Sequence, residues 1–157
     1  MKPHFENYFT VHASLLGEVL FYHLTLEALL TEIIRRSPNA PTESKLKGLM
    51  FAKKSEECLK LGKLSVGLHA AVLALNKVRN MYAHELGFEI NFDDALKLAR
   101  LCGEAGADFT DGVDGCTIDE ARKLGYDTLS LLNETFRNTF FEVASYQGED
   151  EWLEFTT

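Results

Sequence analysis

Apolar residues recur every three or four positions along nearly the whole chain, and this spacing constrains the fold more than any other feature. Such a period places side chains on one face of an α-helix, because the helix completes a turn in ~3.6 residues. No segment shows the alternation of apolar and polar residues that is typical of a half-buried strand. The sequence therefore predicts an all-α fold, an up-and-down bundle of about five helices.

Capping residues, glycines and prolines set the predicted helix ends. SPNAP ends the first helix, because a proline disfavours helix at the residue before it. Gly62 and Gly87 stop the second and third helices, and Thr42 caps the second. Thr117 and Glu120 form a predicted capping box at the start of the last helix. The five predicted helices cover, in order, residues 12–36, 42–61, 64–85, 93–102 and 117–146.

The last predicted helix has the longest apolar face after the first. We expect it to bury six residues, Leu124, Leu129, Leu132, Phe136, Phe140 and Val143. The 157-residue chain, with 46% hydrophobic and 25% charged residues, has the composition of a folded protein. It predicts one helical domain over residues 1–157, with an acidic tail from about residue 147.

The formal net charge is −8, which argues against broad nonspecific binding of nucleic acid. It does not exclude a local basic pocket. Three cysteines without CxxC spacing predict free thiols rather than a disulfide framework. The chain has neither an apolar signal segment nor a run long enough to span a membrane, so a cytoplasmic protein is predicted. The motifs GxxxxGK[ST], GxGxxG and HExxH are absent, and no metal site or cofactor is predicted.

Polar residues interrupt the apolar faces of two predicted helices. On the first helix, His23 and Glu27 fall within the apolar arc, and His12 projects there too. A carboxylate in a core must be paired, hydrogen-bonded or protonated, since stranding it costs on the order of several kcal/mol. Arg79 lies about 60° from the centre of the apolar face of the third helix. We expect Glu27 to accept a hydrogen bond from Arg79 or to share its polar pocket.

The stretch RNMYAH, at the end of the third helix, combines three residues suited to phosphodiester chemistry. His84 could take a proton from a ribose 2′-OH or give one to the leaving oxygen. Arg79 could hold the phosphate, and Asn80 could orient the histidine or donate to a phosphate oxygen. Arg79 and His84 are about 140° apart around one helix, so a site that uses both is easier to build where two copies meet. This geometry favours a homodimer.

A structural role would explain the same residues. A histidine at a helix C-terminus is often a favourable partner of the helix dipole. An arginine and an asparagine before it can satisfy nearby backbone groups and a carboxylate.

An arginine, an asparagine directly after it and a histidine five residues on, at the end of a helix, resemble the Rx4H signature of the HEPN superfamily. The upstream stretch LMFAKKSEECLKLGKLSVGLHAAVLALNKVRNMYAH is similar to the segment that precedes this motif in HEPN-like proteins, including relatives of the mannitol-operon repressor. The resemblance covers residues from about 12 to 100, and the helical order suits the whole chain.

The resemblance implies a helical bundle that dimerises and, in active members, a metal-independent endoribonuclease at the dimer interface. Such members act as toxins or in antiphage defence, and an antitoxin or regulatory protein can be their partner. Arg79 and His84 take the catalytic positions, Asn80 takes the polar position after the arginine, and Glu27 matches a polar residue contributed by the long preceding helix.

One position departs from the pattern of some toxin members, which carry a modifiable tyrosine two residues after the histidine. Leu86 stands there, which puts regulation by that route in doubt. Two hypotheses follow. The first is an endoribonuclease that leaves a 2′,3′-cyclic phosphate. The second is a catalytically silent regulatory or protein-interaction module in which Arg79, Glu27 and His84 are structural.

Overall fold

The structure is a computed structural model, and it describes residues 5–85 and 87–148, with side chains from Ala13 onwards except that of Leu15. The side chain of His12, the residue Leu86 and most of the predicted acidic tail lie outside the described residues. Within the described part of the chain there are seven α-helices and a short 3₁₀ turn at Val113–Gly115. The seven are α1 Phe5–Arg35, α2 Glu43–Gly48, α3 Phe51–Lys60, α4 Val66–His84, α5 Phe92–Glu104, α6 Ile118–Lys123 and α7 Thr128–Ser145.

The fold is an all-α bundle, as predicted. α1 packs against α3, α4 and α7, and α5 packs against α4 and α7. A single cluster of buried side chains joins these helices, centred on the leucines Leu26, Leu30, Leu68, Leu75, Leu131 and Leu132. No helix in the described ranges is long and apolar enough to cross a bilayer.

The predicted second helix is in fact two helices. α2 ends at Gly48, and both Leu49 and Met50 have extended backbone before α3 begins at Phe51. Glycine is a poor helix former, and no side chain caps the start of α3. The break lets α3 pack its own face, Phe51, Lys54, Ser55 and Cys58, towards α1 and α4.

The predicted last helix also divides, into α6 and α7. Gly125 adopts a φ of 93°, which favours glycine and ends α6, and Asp127 then caps α7. The predicted burial of Leu124 is therefore wrong: it closes α6 and is 50% exposed. Leu132, Phe136 and Val143 are buried as predicted, and Leu129 and Phe140 are half-buried.

Several predicted ends are confirmed. Thr42 accepts a hydrogen bond from the Lys45 amide, Gly62 takes a left-handed conformation after α3, and Thr117 and Glu120 form the capping box. The first helix begins earlier than predicted, at Phe5 rather than about His12, and ends at Arg35. α4 and α5 begin with caps that the prediction did not name, Ser65 and Asn91.

Candidate functional site

The end of α4 determines where His84 lies. The Tyr82 hydroxyl accepts a hydrogen bond from the Ile90 amide at 3.2 Å, and the Phe88 ring meets the Tyr82 ring edge-on with centroids 4.8 Å apart. Burial raises the pKa of this phenol, which therefore stays neutral. The chain folds back against Tyr82, and His84 is left exposed in the last turn of the helix.

A cavity of about 650 Å³ opens between α1, α3 and α4. We call it the polar cavity, because most of its lining side chains carry nitrogen or oxygen. Both Glu27 and Arg79 line it, which is the second of the two arrangements expected from the sequence. Its other lining residues are His23, Met50, Phe51, Ala52, Lys53, Glu56, His69, Leu73, Asn76 and Asn80.

Arg79 and Asn80 are in direct contact. Arg79 Nη1 donates to Asn80 Oδ1 at 2.9 Å, although the two residues are adjacent on one helix. Arg79 is half-buried, and its Nε–H is buried without a hydrogen-bond partner among the described residues. A buried donor without an acceptor costs about 1–3 kcal/mol, so the site holds a guanidinium that is incompletely satisfied.

The expected direct pair between Glu27 and Arg79 is not found among the described residues. Glu27 Oε1 instead accepts from Lys54 Nζ at 2.8 Å. The lysine side chain is only 8% exposed and that of Glu27 27%. The reason is the break before α3, which turns Lys54 inwards so that the nearest cation to the carboxylate comes from α3 rather than α4.

His23 is held between two elements. Its Nε2 lies 2.8 Å from Asn76 Oδ1 on α4, and its ring stacks on Phe51 of α3 with centroids 4.3 Å apart. The side chain is 2% exposed, and its Nδ1 is buried without a partner. Burial lowers the pKa of this imidazole, the hydrogen bond with Asn76 raises it, and the Arg79 charge lowers it again. The net lowering favours the neutral ring.

His69 completes the wall on the α4 side. Its Nδ1 lies 2.8 Å from the hydroxyl of the fully buried Ser55 on α3. The bond fixes the orientation of the ring, and the imidazole borders the cavity beside Asn76. α1 and α4 therefore each supply at least one oriented polar group to the same space.

His84 lies outside the polar cavity, in an adjacent shallow depression that also contains Lys77, Met81 and Glu85. Leu73, Asn76 and Asn80 line both spaces, so they form a common wall. Arg79 and His84 thus flank the same two asparagines without lining one cavity together. Arg79 is neither buried against Glu27 nor aligned with His84 within one chain.

Lys54 was not among the residues predicted for the site, although it pairs with Glu27. The signal was present: Phe51, Lys54 and Cys58 recur at the spacing of one helical face, so the lysine stands at a core position. Sequence reasoning also missed the contact of Phe51 with His23. That contact joins two helices, and spacing along one helix does not reveal it.

Within the part of the chain that the structure describes, no three His, Cys, Asp or Glu side chains are grouped closely enough to hold a metal ion. Comparisons with family models, with curated proteins and with solved structures found no match to this chain.

Proposed function

We propose that the protein is a metal-independent endoribonuclease of the HEPN type, the kind found in toxins and in antiphage defence. One observation carries the proposal: an incompletely satisfied guanidinium, that of Arg79, stands beside an exposed histidine, with Asn80 between them. Arginine suits a phosphodiester because its planar fork of donors matches two phosphate oxygens. A histidine with access to solvent is suited to proton transfer near neutral pH.

The proposed reaction is a transesterification within the RNA chain. His84 takes the proton of the ribose 2′-OH, and the 2′-oxygen attacks the adjacent phosphorus. The bond from phosphorus to the 5′-oxygen breaks, and that oxygen receives a proton from the imidazolium formed at His84. The products are a 2′,3′-cyclic phosphate and a 5′-hydroxyl end. Arg79 binds the non-bridging oxygens as their charge grows, and Asn80 aligns the guanidinium through its carbonyl oxygen.

The proposal includes a homodimer, because Arg79 and His84 line different spaces of one chain. α1 offers a surface for it. Between Ala13 and Ala28 one exposed face of α1, about 22 Å long, carries no charged residue. Its residues follow a spacing of three and four, the pattern that packs helix on helix: Ser14, Gly17, Phe21, Leu24 and Ala28.

Two large apolar side chains on this face are unusually exposed, Phe21 at 65% and Leu24 at 58%. Two chains that each carry a formal charge of −8 repel one another, so an uncharged face is where they can approach. Such a face is self-complementary across a twofold axis. It adjoins the side of α1 that carries Glu27, so a partner seated there borders the polar cavity.

The test is cleavage of an end-labelled RNA pool by purified protein in the presence of a chelator, compared with His84→Ala. We expect cyclic-phosphate ends from the wild type and none from the variant. Folded protein that leaves the RNA intact at micromolar concentration would refute the proposal. Leu24→Glu should yield monomers in sedimentation and lose cleavage. The control Leu124→Glu changes a leucine at the end of α6 that is 50% exposed, and this variant should remain dimeric and active.

A second candidate is a silent regulatory or protein-interaction module that binds a partner protein. The pair between Glu27 and Lys54 favours it, because the carboxylate expected near the active site is already occupied by a mostly buried lysine. The negative balance of the chain favours it as well. Under this alternative the His84→Ala variant and the wild type behave alike towards RNA.

A further inference from the structure

Two asparagine amides line the polar cavity, and each has its carbonyl oxygen engaged. Asn76 Oδ1 meets His23 Nε2 at 2.8 Å, and Asn80 Oδ1 accepts from Arg79 Nη1 at 2.9 Å. Neither amino group is buried, and neither is bonded to any residue that the structure describes. Since an amide carries its acceptors on oxygen and its donors on nitrogen, both asparagines are left to present donors.

Arg79 adds a third donor. Its Nε–H is buried and lacks an acceptor within the described residues, although the side chain lines the cavity. A buried N–H of this kind is stabilised by any oxygen that reaches it. The α4 wall therefore presents two accessible amide donors to the cavity, and the Arg79 Nε–H is a third donor that is itself buried.

The α1 wall has the opposite character. Glu27 gives one carboxylate oxygen to Lys54, and the other has no hydrogen bond to a described residue. His23 is 2% exposed, and its Nδ1 has no partner. With Nε2–H donating to Asn76, this neutral ring keeps a lone pair on Nδ1. The accessible acceptor of the α1 wall is therefore the Glu27 carboxylate, and His23 Nδ1 is a second acceptor that is itself buried.

The rest of the lining is mixed: Lys53 and Glu56 of α3 form an ion pair with each other, and apolar side chains complete it. Phe51 and Leu73 line the cavity, and Met50 stands at its edge with 79% of its surface exposed. Exposed methionine adapts its shape to a bound ring and contacts its face. The cavity, at about 650 Å³, has room for more than a single ion. Donors on one side, acceptors on the other and apolar surface between them are suited to a flat heterocycle.

We propose that the polar cavity binds a keto base of RNA, guanine or uracil, next to the phosphate held by Arg79. This inference rests on the proposed function, since the base belongs to the nucleotide being cut. A keto base carries a carbonyl beside a ring N–H. The carbonyl accepts from the amino groups of Asn76 and Asn80, and the ring N–H donates to Glu27.

Amino bases and free phosphate fit less well. Adenine and cytosine carry an exocyclic amino group, which would set a donor against the donors of Asn76 and Asn80. Inorganic phosphate would suit the donors, but it would approach the Glu27 carboxylate with like charge. Donors on the α4 wall and an acceptor on the α1 wall therefore favour a base that carries a carbonyl beside a ring N–H.

The experiment measures binding rather than cleavage. The full-length His84→Ala protein is titrated by calorimetry with GMP, UMP, AMP, CMP and inorganic phosphate. GMP and UMP are expected to bind about tenfold or more tightly than AMP and CMP, the discrimination that one good pair of base contacts provides. The order of GMP and UMP then tells which keto base fits better, and either order supports the proposal.

A single substitution tests the donor wall. Asn76→Asp keeps an oxygen for His23 but replaces the amino group with a carboxylate oxygen, so the preference for keto bases should disappear. The matched control is Asn39→Asp, which makes the same charge change at an exposed turn and should leave the ranking intact. The ranking of the four nucleotides is measured on the His84→Ala protein. The proposal can therefore be refuted even if Asn76→Asp does not fold.

Three results would overturn the inference. Equal binding of all four nucleotides, displaced by inorganic phosphate, would make the cavity a phosphate site. No binding of any nucleotide at millimolar concentration would exclude a base subsite, even if wild-type protein cleaves RNA. Binding of AMP and CMP that is tighter than binding of GMP and UMP would show that the donors and acceptors of the cavity were assigned the wrong way round. Keto-base binding by a protein that cleaves no RNA would instead refute the proposed function and leave the cavity as a nucleotide-binding site.

Discussion

The polar cavity and the region from α5 to the start of α7 differ in whether their buried polar atoms have hydrogen-bond partners. In the second region, which we call the cap region (residues 91–130), Asn91, Thr117 and Asp127 cap three helices, and the latter two form capping boxes. Arg100 donates to the carbonyl oxygens of Asp114 and Cys116 at 3.3 and 3.1 Å. No buried side-chain nitrogen or oxygen of the cap region lacks a partner.

Two such atoms belong to residues that line the polar cavity, His23 Nδ1 and Arg79 Nε, and a lysine that is only 8% exposed, Lys54, pairs with Glu27 of the same lining. Each of these features destabilises the fold unless something compensates for it. Three further buried atoms without a partner among the described residues lie on or just after α7, in Asn133, Asn138 and Gln147. The cap region thus stabilises the fold through local hydrogen bonds, and the unsatisfied atoms at the polar cavity support the proposal that it binds a ligand.

The sharpest test of this comparison exchanges one arginine in each region. Under the proposed function, Arg79→Gln should reduce RNA cleavage by about 100-fold or more, because the donor assigned to the transition-state charge would be lost. It should leave the melting temperature unchanged or higher, because a buried unsatisfied N–H disappears. Single-turnover cleavage and thermal unfolding measure the two effects.

Arg100→Gln is the matched control. It removes hydrogen bonds to two backbone carbonyls, so the melting temperature should fall while the cleavage rate stays the same. If Arg79→Gln lowered stability and spared activity, the two regions would have the same role, and the comparison would fail.

A second prediction concerns the pair between Glu27 and Lys54, and the expected effect is on stability. Lys54→Met leaves a partly buried carboxylate without its cation and should cost about 2–3 kcal/mol in the free energy of unfolding. Adding Glu27→Leu should recover most of that loss, since two apolar residues replace the pair. Urea denaturation of the two variants measures both values, and a double variant less stable than Lys54→Met would contradict the pairing.

The contrast between the regions also explains what the sequence could predict. The capping box of Thr117 and Glu120 was predictable because its two residues lie within one turn and need no knowledge of the rest of the chain. The apolar periodicity likewise predicted an all-α bundle and the buried positions Leu132, Phe136 and Val143. Local patterns thus determined most of the helices.

The breaks at Leu49 and Gly125 were not predicted, because each divides one continuous apolar pattern. Gly125 is a residue that often ends a helix, but the leucines on either side of it continue the apolar pattern and favoured one unbroken helix. The break at Leu49 carries no strong local signal beyond Gly48.

Some residues that line the polar cavity were singled out from the sequence, but their pairing was not predicted. His23 and Glu27 stood out because polar residues interrupted an apolar arc, and both line the polar cavity together with Arg79. The partner of Glu27 depended on the direction of α3, and it is Lys54 rather than Arg79. Which helix meets which is a property of the packed bundle, so spacing within one helix could not decide it.

The smallest expected effect is the pH dependence of stability that arises from His23, and it distinguishes the two regions again. Burial lowers the pKa of His23 in the folded state below 6.5, so the unfolded chain binds its proton first. Its contribution is fully present above 6.5 and is lost as the pH falls from there towards the lowered value. His23→Gln, which can still bond to Asn76, should abolish this slope in urea midpoints measured from pH 7.5 to pH 5.5.

The capping boxes contribute to the pH dependence of stability over a different pH range. Hydrogen bonds from Thr117 lower the pKa of Glu120 from 4.5, so that contribution is lost only as the pH falls below 4.5. A slope that persisted in His23→Gln would assign the titration to another group and leave the polar cavity without its buried neutral imidazole.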